Sequence, residues 1–141
     1  MGSTVHNRLV ALAVLVIASV AGCAESQTVS RKAAHLTIDG ATHTTPPAAC
    51  SQDQGYRTVD IPDRDGKVEA VVLLSGDRVI PQWVKIRNID GFTGSFWEGG
   101  VGNAHADVTR SAFTITGSAY GINTSNPNKA VTTDFTITAE C

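Results

Sequence analysis

The chain has 141 residues, which is room for one small domain and not for two. Apolar residues make up 42% and charged residues 17%, a folding composition rather than a disordered one. The formal charge is −2 with no basic patch and no acidic run, which argues against nucleic acid as a partner.

The first element in the chain reads as an export signal. Met1 to Asn7 is short and polar, Arg8 adds a positive charge, and Leu9 to Val20 (LVALAVLVIASV) is apolar apart from Ser19. A helix of that length rises roughly 18 Å, well short of a ~30 Å hydrocarbon core, so a signal-peptide core is expected rather than a stable span. A buried amphipathic helix fails as a reading because the segment has no polar face at a 3.6-residue period. It ends in Val20-Ala21-Gly22-Cys23, which resembles a bacterial lipobox. That resemblance implies a diacylglyceryl thioether on the Cys23 sulfur, cleavage between Gly22 and Cys23, and acylation of the new amine. Each buried methylene adds about 0.8 kcal/mol, so two or more long chains give a stable anchor. The expected organisation is a signal peptide over 1–22, a lipidated cysteine and flexible tether over 23–33, and a β-domain over 34–141. Only Arg8 among the basic residues precedes Cys23, so the mature chain carries 10 basic against 13 acidic residues.

The cysteine count agrees. Cys23, Cys50 and Cys141 make an odd number, and an exported chain is expected to pair its thiols. Lipidation removes Cys23 and leaves one pair, Cys50 with Cys141. A metal is the alternative for two cysteines, but neither has a Cys or His at ligand spacing. A disulfide is therefore expected.

Ala24 to Ala33 is polar and reaches at most ~35 Å when extended, which would keep the domain near the membrane. From there the pattern has a period of two. Leu36 and Ile38 oppose His35, Thr37 and Asp39, and Thr42 to Pro47 (THTTPP) then reads as a loop. Ala70 to Leu74 is a continuous apolar run, read as a strand buried on both faces. Val84 and Ile86 alternate with Lys85 and Arg87, and Ala104, Ala106 and Val108 alternate with His105, Asp107 and Thr109. Phe113, Ile115 and Ala119 form a face, as do Phe135, Ile137 and Ala139, and Cys141 shares that last parity. Turns are expected at Asp39-Gly40, Asp65-Gly66, Ser75-Gly76, Asp90-Gly91 and Glu98-Gly99-Gly100. The fold class is all-β, a small antiparallel β-sandwich or a strongly curved sheet.

The second half carries a family pattern. Gly102-Asn103-Ala104, the run from Phe113 through Gly117 to Ala119, Gly121-Ile122, Asn126-Pro127, Phe135 with Ile137, and Cys141 together resemble the mycobacterial LpqH-type surface lipoprotein antigens, LppE-like members among them. Thr37-Ile38-Asp39-Gly40, the lipobox and Cys50 ahead of a short glycine turn belong to the same match. It covers residues 102–141 well and most of the mature domain loosely. The resemblance implies a cell-surface lipoprotein whose acylated N-terminus engages innate Toll-like receptors, and a Cys50–Cys141 bridge. It supplies no catalytic residues.

Candidate sites follow from residue types. His105 and Asp107 share one strand face, as ligands or an acid/base pair would, although solvent-facing polar residues give the same spacing. A calcium loop over Ile61 to Val72 fails, because Ile61 and Val72 would fill its first and twelfth positions. Trp83, Phe92, Phe96 and Trp97 concentrate aromatic area and are the candidate ligand-binding residues, for an acyl chain or a glycan; core packing is the plainer account. Thr42, Thr44 and Thr45 are candidate acceptors of O-linked sugar. No nucleophile elbow, phosphate loop or zinc motif appears, and no cofactor or metal is expected.

The function expected from the sequence is a non-enzymatic lipoprotein on the extracytoplasmic face of the cell membrane. Its partners would be the membrane, through Cys23, and host receptors or envelope lipids. A carrier of a lipid or other apolar ligand is the second reading. A hydrolase, which would need Ser or Asp in reach of His35, His43 or His105 in a cleft, is the third.

Overall fold

The computed structural model describes residues 32–141. The expected signal peptide over 1–22, Cys23 and the residues up to Arg31 lie outside the described residues. Lys32 and Ala33 lead into ten strands: β1 (Ala34–Ile38), β2 (Ala41–Thr45), β3 (Ala49–Asp53), β4 (Tyr56–Asp63), β5 (Gly66–Ser75), β6 (Arg78–Ile89), β7 (Phe92–Trp97), β8 (Asn103–Thr109), β9 (Ala112–Asn123) and β10 (Asn126–Glu140). Every pairing is antiparallel. The strands form one sheet in the order β2-β1-β10-β9-β7-β6-β5-β4-β3, with β8 paired beside the first half of β9. Of the two architectures that the alternation allowed, this is the curved sheet.

Alternation builds the core directly. Leu36 and Ile38, Val59 and Ile61, Val68 and Ala70, Val84 and Ile86, Ile115, and Ile137 all point to one face and are buried in one cluster. A sheet with one apolar face can cover it only by packing against another layer or by rolling up. This one rolls up. β2 and β3 stand at opposite ends of the strand order, yet His43 on β2 lies 3.2 Å from Asp63 on β4. Cys50 on β3 is bonded to Cys141 just past β10, with Cα atoms 5.7 Å apart.

The hairpins sort into two ends. Asp39-Gly40 and Asp90-Gly91 turn the chain at one end, joined there by the β4–β5 and β9–β10 turns. In both Asp-Gly pairs each residue has a positive φ (51° and 78°, 51° and 79°), the condition for a tight two-residue hairpin whose twist matches the strands. The opposite end holds the β3–β4, β5–β6 and β8–β9 turns, the start of β1 and Cys141. The chain preceding β1 therefore joins the domain at the disulfide end.

Three local expectations change. The THTTPP segment is not a loop over its first part: Thr42 to Thr45 belong to β2, where β-branched threonines pair with β1, and the prolines follow the strand. In the Ala70–Leu74 run, Ala70, Val71 and Val72 are buried but Leu73 and Leu74 only partly, because the β5–β6 register shifts between Val71 and Val72. Val108 has the parity of buried Ala106 yet is 41% exposed, since β8 pairs on one side only and ends there.

β7 and β9 approach closely where Gly94 faces Gly121. A Cβ at Gly121 would stand 2.0 Å from the Thr93 carbonyl oxygen, so only glycine fits between the two strands.

Candidate functional site

The candidate aromatic residues divide between the two faces of the sheet. Phe92 and Phe96 point inward and are core, each 2% exposed. Trp83 and Trp97 point outward from neighbouring strands in direct register. The four do not line one pocket. Successive strand residues alternate faces, so Phe96 and Trp97 part company although they are adjacent in sequence.

The outward pair forms a compact platform. The Trp83 and Trp97 ring centroids are 6.1 Å apart with planes inclined at 28°. Lys85 holds its Nζ 4.5 Å from the Trp83 centroid and 5.5 Å from that of Trp97, a cation–π contact with both. Trp97 remains 47% exposed. Along the same face Lys85 pairs with Glu69 on one side and Ser95 on the other, and Ser95 with Tyr120. Tyr120 is 52% exposed and Ile122 is exposed beside it. Aromatic faces, one cation and hydroxyls thus occupy a continuous stretch of outer sheet.

Lys67, farther along β5, donates to Glu69 and lies 3.5 Å from Asp60. The hydrogen bond to Glu69, helped by both carboxylates, holds its pKa above the ordinary lysine value.

His105 and Asp107 do meet, at 3.0 Å, on the exposed edge strand β8. Both are largely in solvent, and the pair has the form of a surface contact. Among the described residues no group of three or more His, Cys, Asp or Glu side chains is placed to hold a metal ion.

The condition set by the hydrolase reading, an Asp within reach of His43 in a cleft, is met in geometry at one cluster. His43 spans two carboxylates, with Nδ1 3.2 Å from Asp63 and Nε2 2.6 Å from Asp90. These residues come from β2, the end of β4 and the β6–β7 turn, so only the rolled sheet brings them together. The groove beside them is lined by Arg64, Asp65, Asn88 and Gly91, and no Ser, Thr or Cys nucleophile is among its lining residues. The arrangement works as a latch on β2, whose only ladder partner among the described residues is β1. His43→Ala is expected to cost about 1 kcal/mol and to speed amide exchange selectively in β2. Unchanged exchange there, read by mass spectrometry, would contradict the latch.

The threonines proposed for sugar differ in access. Thr45 is buried with its hydroxyl donating to the Pro46 carbonyl at 2.9 Å, while Thr42 and Thr44 are exposed on β2.

Comparison with known proteins supplies what geometry alone does not. The model of the "Mycobacterium 19 kDa lipoprotein antigen" family matches residues 27–141. A protein of Mycobacterium tuberculosis described as "Probable lipoprotein LppE" is 64% identical over 138 residues, covering 96% of this chain and 99% of the relative. A "Putative lipoprotein" of Mycobacterium avium subsp. hominissuis is 32% identical over 133 residues, covering 94% and 92%. The match takes in all ten strands and both bridged cysteines, and the chain belongs to the mycobacterial 19 kDa lipoprotein antigen family.

Proposed function

We propose that the chain is a membrane-anchored surface lipoprotein of the envelope, non-enzymatic, acting through its lipid and through contacts of its folded domain. The observation that carries this reading is the pairing of a lipobox at Cys23 with a family of lipoprotein antigens matched over the whole folded domain. Cleavage before Cys23 leaves that residue as the lipidated N-terminus, on the extracytoplasmic side. Its acyl chains are the part that engages a Toll-like receptor, as the family resemblance implies. The domain presents the Trp83–Trp97 platform as its recognition surface for host or envelope components, in place of an apolar pocket built from all four aromatics.

Two variants separate these roles. Cys23→Ser is expected to abolish lipid attachment and to reduce the response of a Toll-like receptor reporter cell to background. Trp83→Ala with Trp97→Ala should leave that response at the native level. A reporter response that survives Cys23→Ser would contradict the assignment to the lipid.

A further inference from the structure

The disulfide end of the sheet carries a groove of about 250 Å³ that the antigen family description does not address. Leu74, Val108, Phe113 and Cys141 supply its apolar lining, and Arg57 and Arg110 supply two guanidinium groups. Phe113 forms a floor, with the Arg57 guanidinium 5.8 Å from its ring centroid. Arg110 sits in the β8–β9 turn at the disulfide end, with a positive φ of 59°. Arg57 gives one bond to Gln52, but its Nε is buried with no hydrogen-bond acceptor, alone in this among the side-chain polar atoms of the described residues. Arg57 and Arg110 line the groove as guanidinium groups, and an anionic oxygen there would accept charge-assisted hydrogen bonds from their terminal N–H groups.

The position of the groove identifies the source of that oxygen. Lys32 lies 3.0 Å from Glu140, next in sequence to Cys141, so the tether joins the domain at the rim. Ala24 to Ala33 spans at most ~35 Å, so an anchor at Cys23 keeps this end within reach of the membrane. Exposed Val108 belongs to the groove, and exposed Tyr56 stands in the strand position next to Arg57. An aromatic ring, aliphatic surface and arginines suit the headgroup layer of a bilayer. A volume of 250 Å³ lies below the ~300–1,000 Å³ of pockets that enclose a whole small ligand, so the groove takes part of a lipid and leaves the rest in the bilayer.

We infer that this groove seats the headgroup of an anionic phospholipid, its phosphate held by Arg57 and Arg110 and the first methylenes of a chain laid against Leu74, Val108 and Phe113. The inference rests on the anchor at Cys23, and it gives the anchored domain a fixed orientation: disulfide end down, Trp83–Trp97 face to the side.

Hydrogen exchange on the mature lipoprotein tests it. The protein, extracted from its own membrane, is placed in phosphatidylcholine vesicles with and without phosphatidylglycerol, and flotation is measured first. Amides of 53–57 and 108–113 should exchange about tenfold more slowly when phosphatidylglycerol is present, the effect of one modest binding interaction. Arg57→Gln with Arg110→Gln should erase the difference, and Arg110→Gln alone, in an exposed turn that folding tolerates, should reduce it severalfold. A chain that floats with neither vesicle contradicts the anchor. A chain that floats but exchanges equally on both contradicts the groove alone. Protection confined to 83–97 and 120–122, or equal protection by inorganic phosphate on phosphatidylcholine vesicles, would also overturn the inference, the first for the wrong face and the second for a simple anion site.

Discussion

Replacing Cys50 and Cys141 together by alanine is expected to lower the stability of the domain by about 4–5 kcal/mol. The two residues are separated by 91 positions, and closing so long a loop removes much conformational freedom from the unfolded chain. The bridge also acts on the folded state. β3 is the last strand of the sheet order and, among the described residues, its only ladder partner is β4, so the bond to Cys141 is what fixes it across the end of the rolled sheet. Small domains have only about 5–15 kcal/mol in total, and the double variant should unfold at a much lower urea concentration. Urea titration followed by tryptophan fluorescence measures this directly. A loss below ~1 kcal/mol would mean that the ladders alone hold the roll closed.

The second large effect contrasts two neighbours. Phe96→Ala should cost about 3–5 kcal/mol, because it empties a fully enclosed position between the strands of the core. Trp97→Ala removes a larger side chain but from the outer face. There the loss is the ring contact with Trp83 and part of the cation–π contact with Lys85, about 1–1.5 kcal/mol. Thermal unfolding of the two variants side by side reads the face assignment of β7. Equal losses would place both rings in the core and remove the outer platform.

Much of this architecture is legible in the chain itself. Leu36 with Ile38, Val84 with Ile86, and Phe135 with Ile137 declare their face by period two, since a strand sends alternate residues to opposite sides. Asp39-Gly40 and Asp90-Gly91 announce their turns because glycine and aspartate accept a positive φ. The β8–β9 turn gives no such signal: Arg110 takes the positive φ and Ser111 follows, so composition leaves it silent.

The sites were less legible, for a physical reason. Facing Trp83 and Trp97 requires the register of β6 on β7, which passes an irregularity between Ile86 and Ile89. No local pattern encodes it. His43 meets Asp90 across 47 positions of sequence only because the sheet curls, and curvature is a sum over many strands rather than a property of any one. The aromatic cluster at 83–97 is visible as composition, and alternation sets Trp83 opposite Val84 and Ile86, but composition alone does not divide Phe92 and Phe96 from Trp97. Val108 shows the complementary limit: its parity is inward, but exposure depends on whether a neighbouring strand covers that point.

Intact mass spectrometry of the protein from its native membrane, with and without reduction, tests the central claim most directly. A chain beginning at Cys23, carrying acyl groups and gaining the mass of two hydrogens on reduction, is the expected result. It would establish the lipid anchor and the single Cys50–Cys141 bridge in one spectrum. An unacylated chain that still carries the residues before Cys23 would contradict the lipoprotein reading and return the third cysteine to the thiol account.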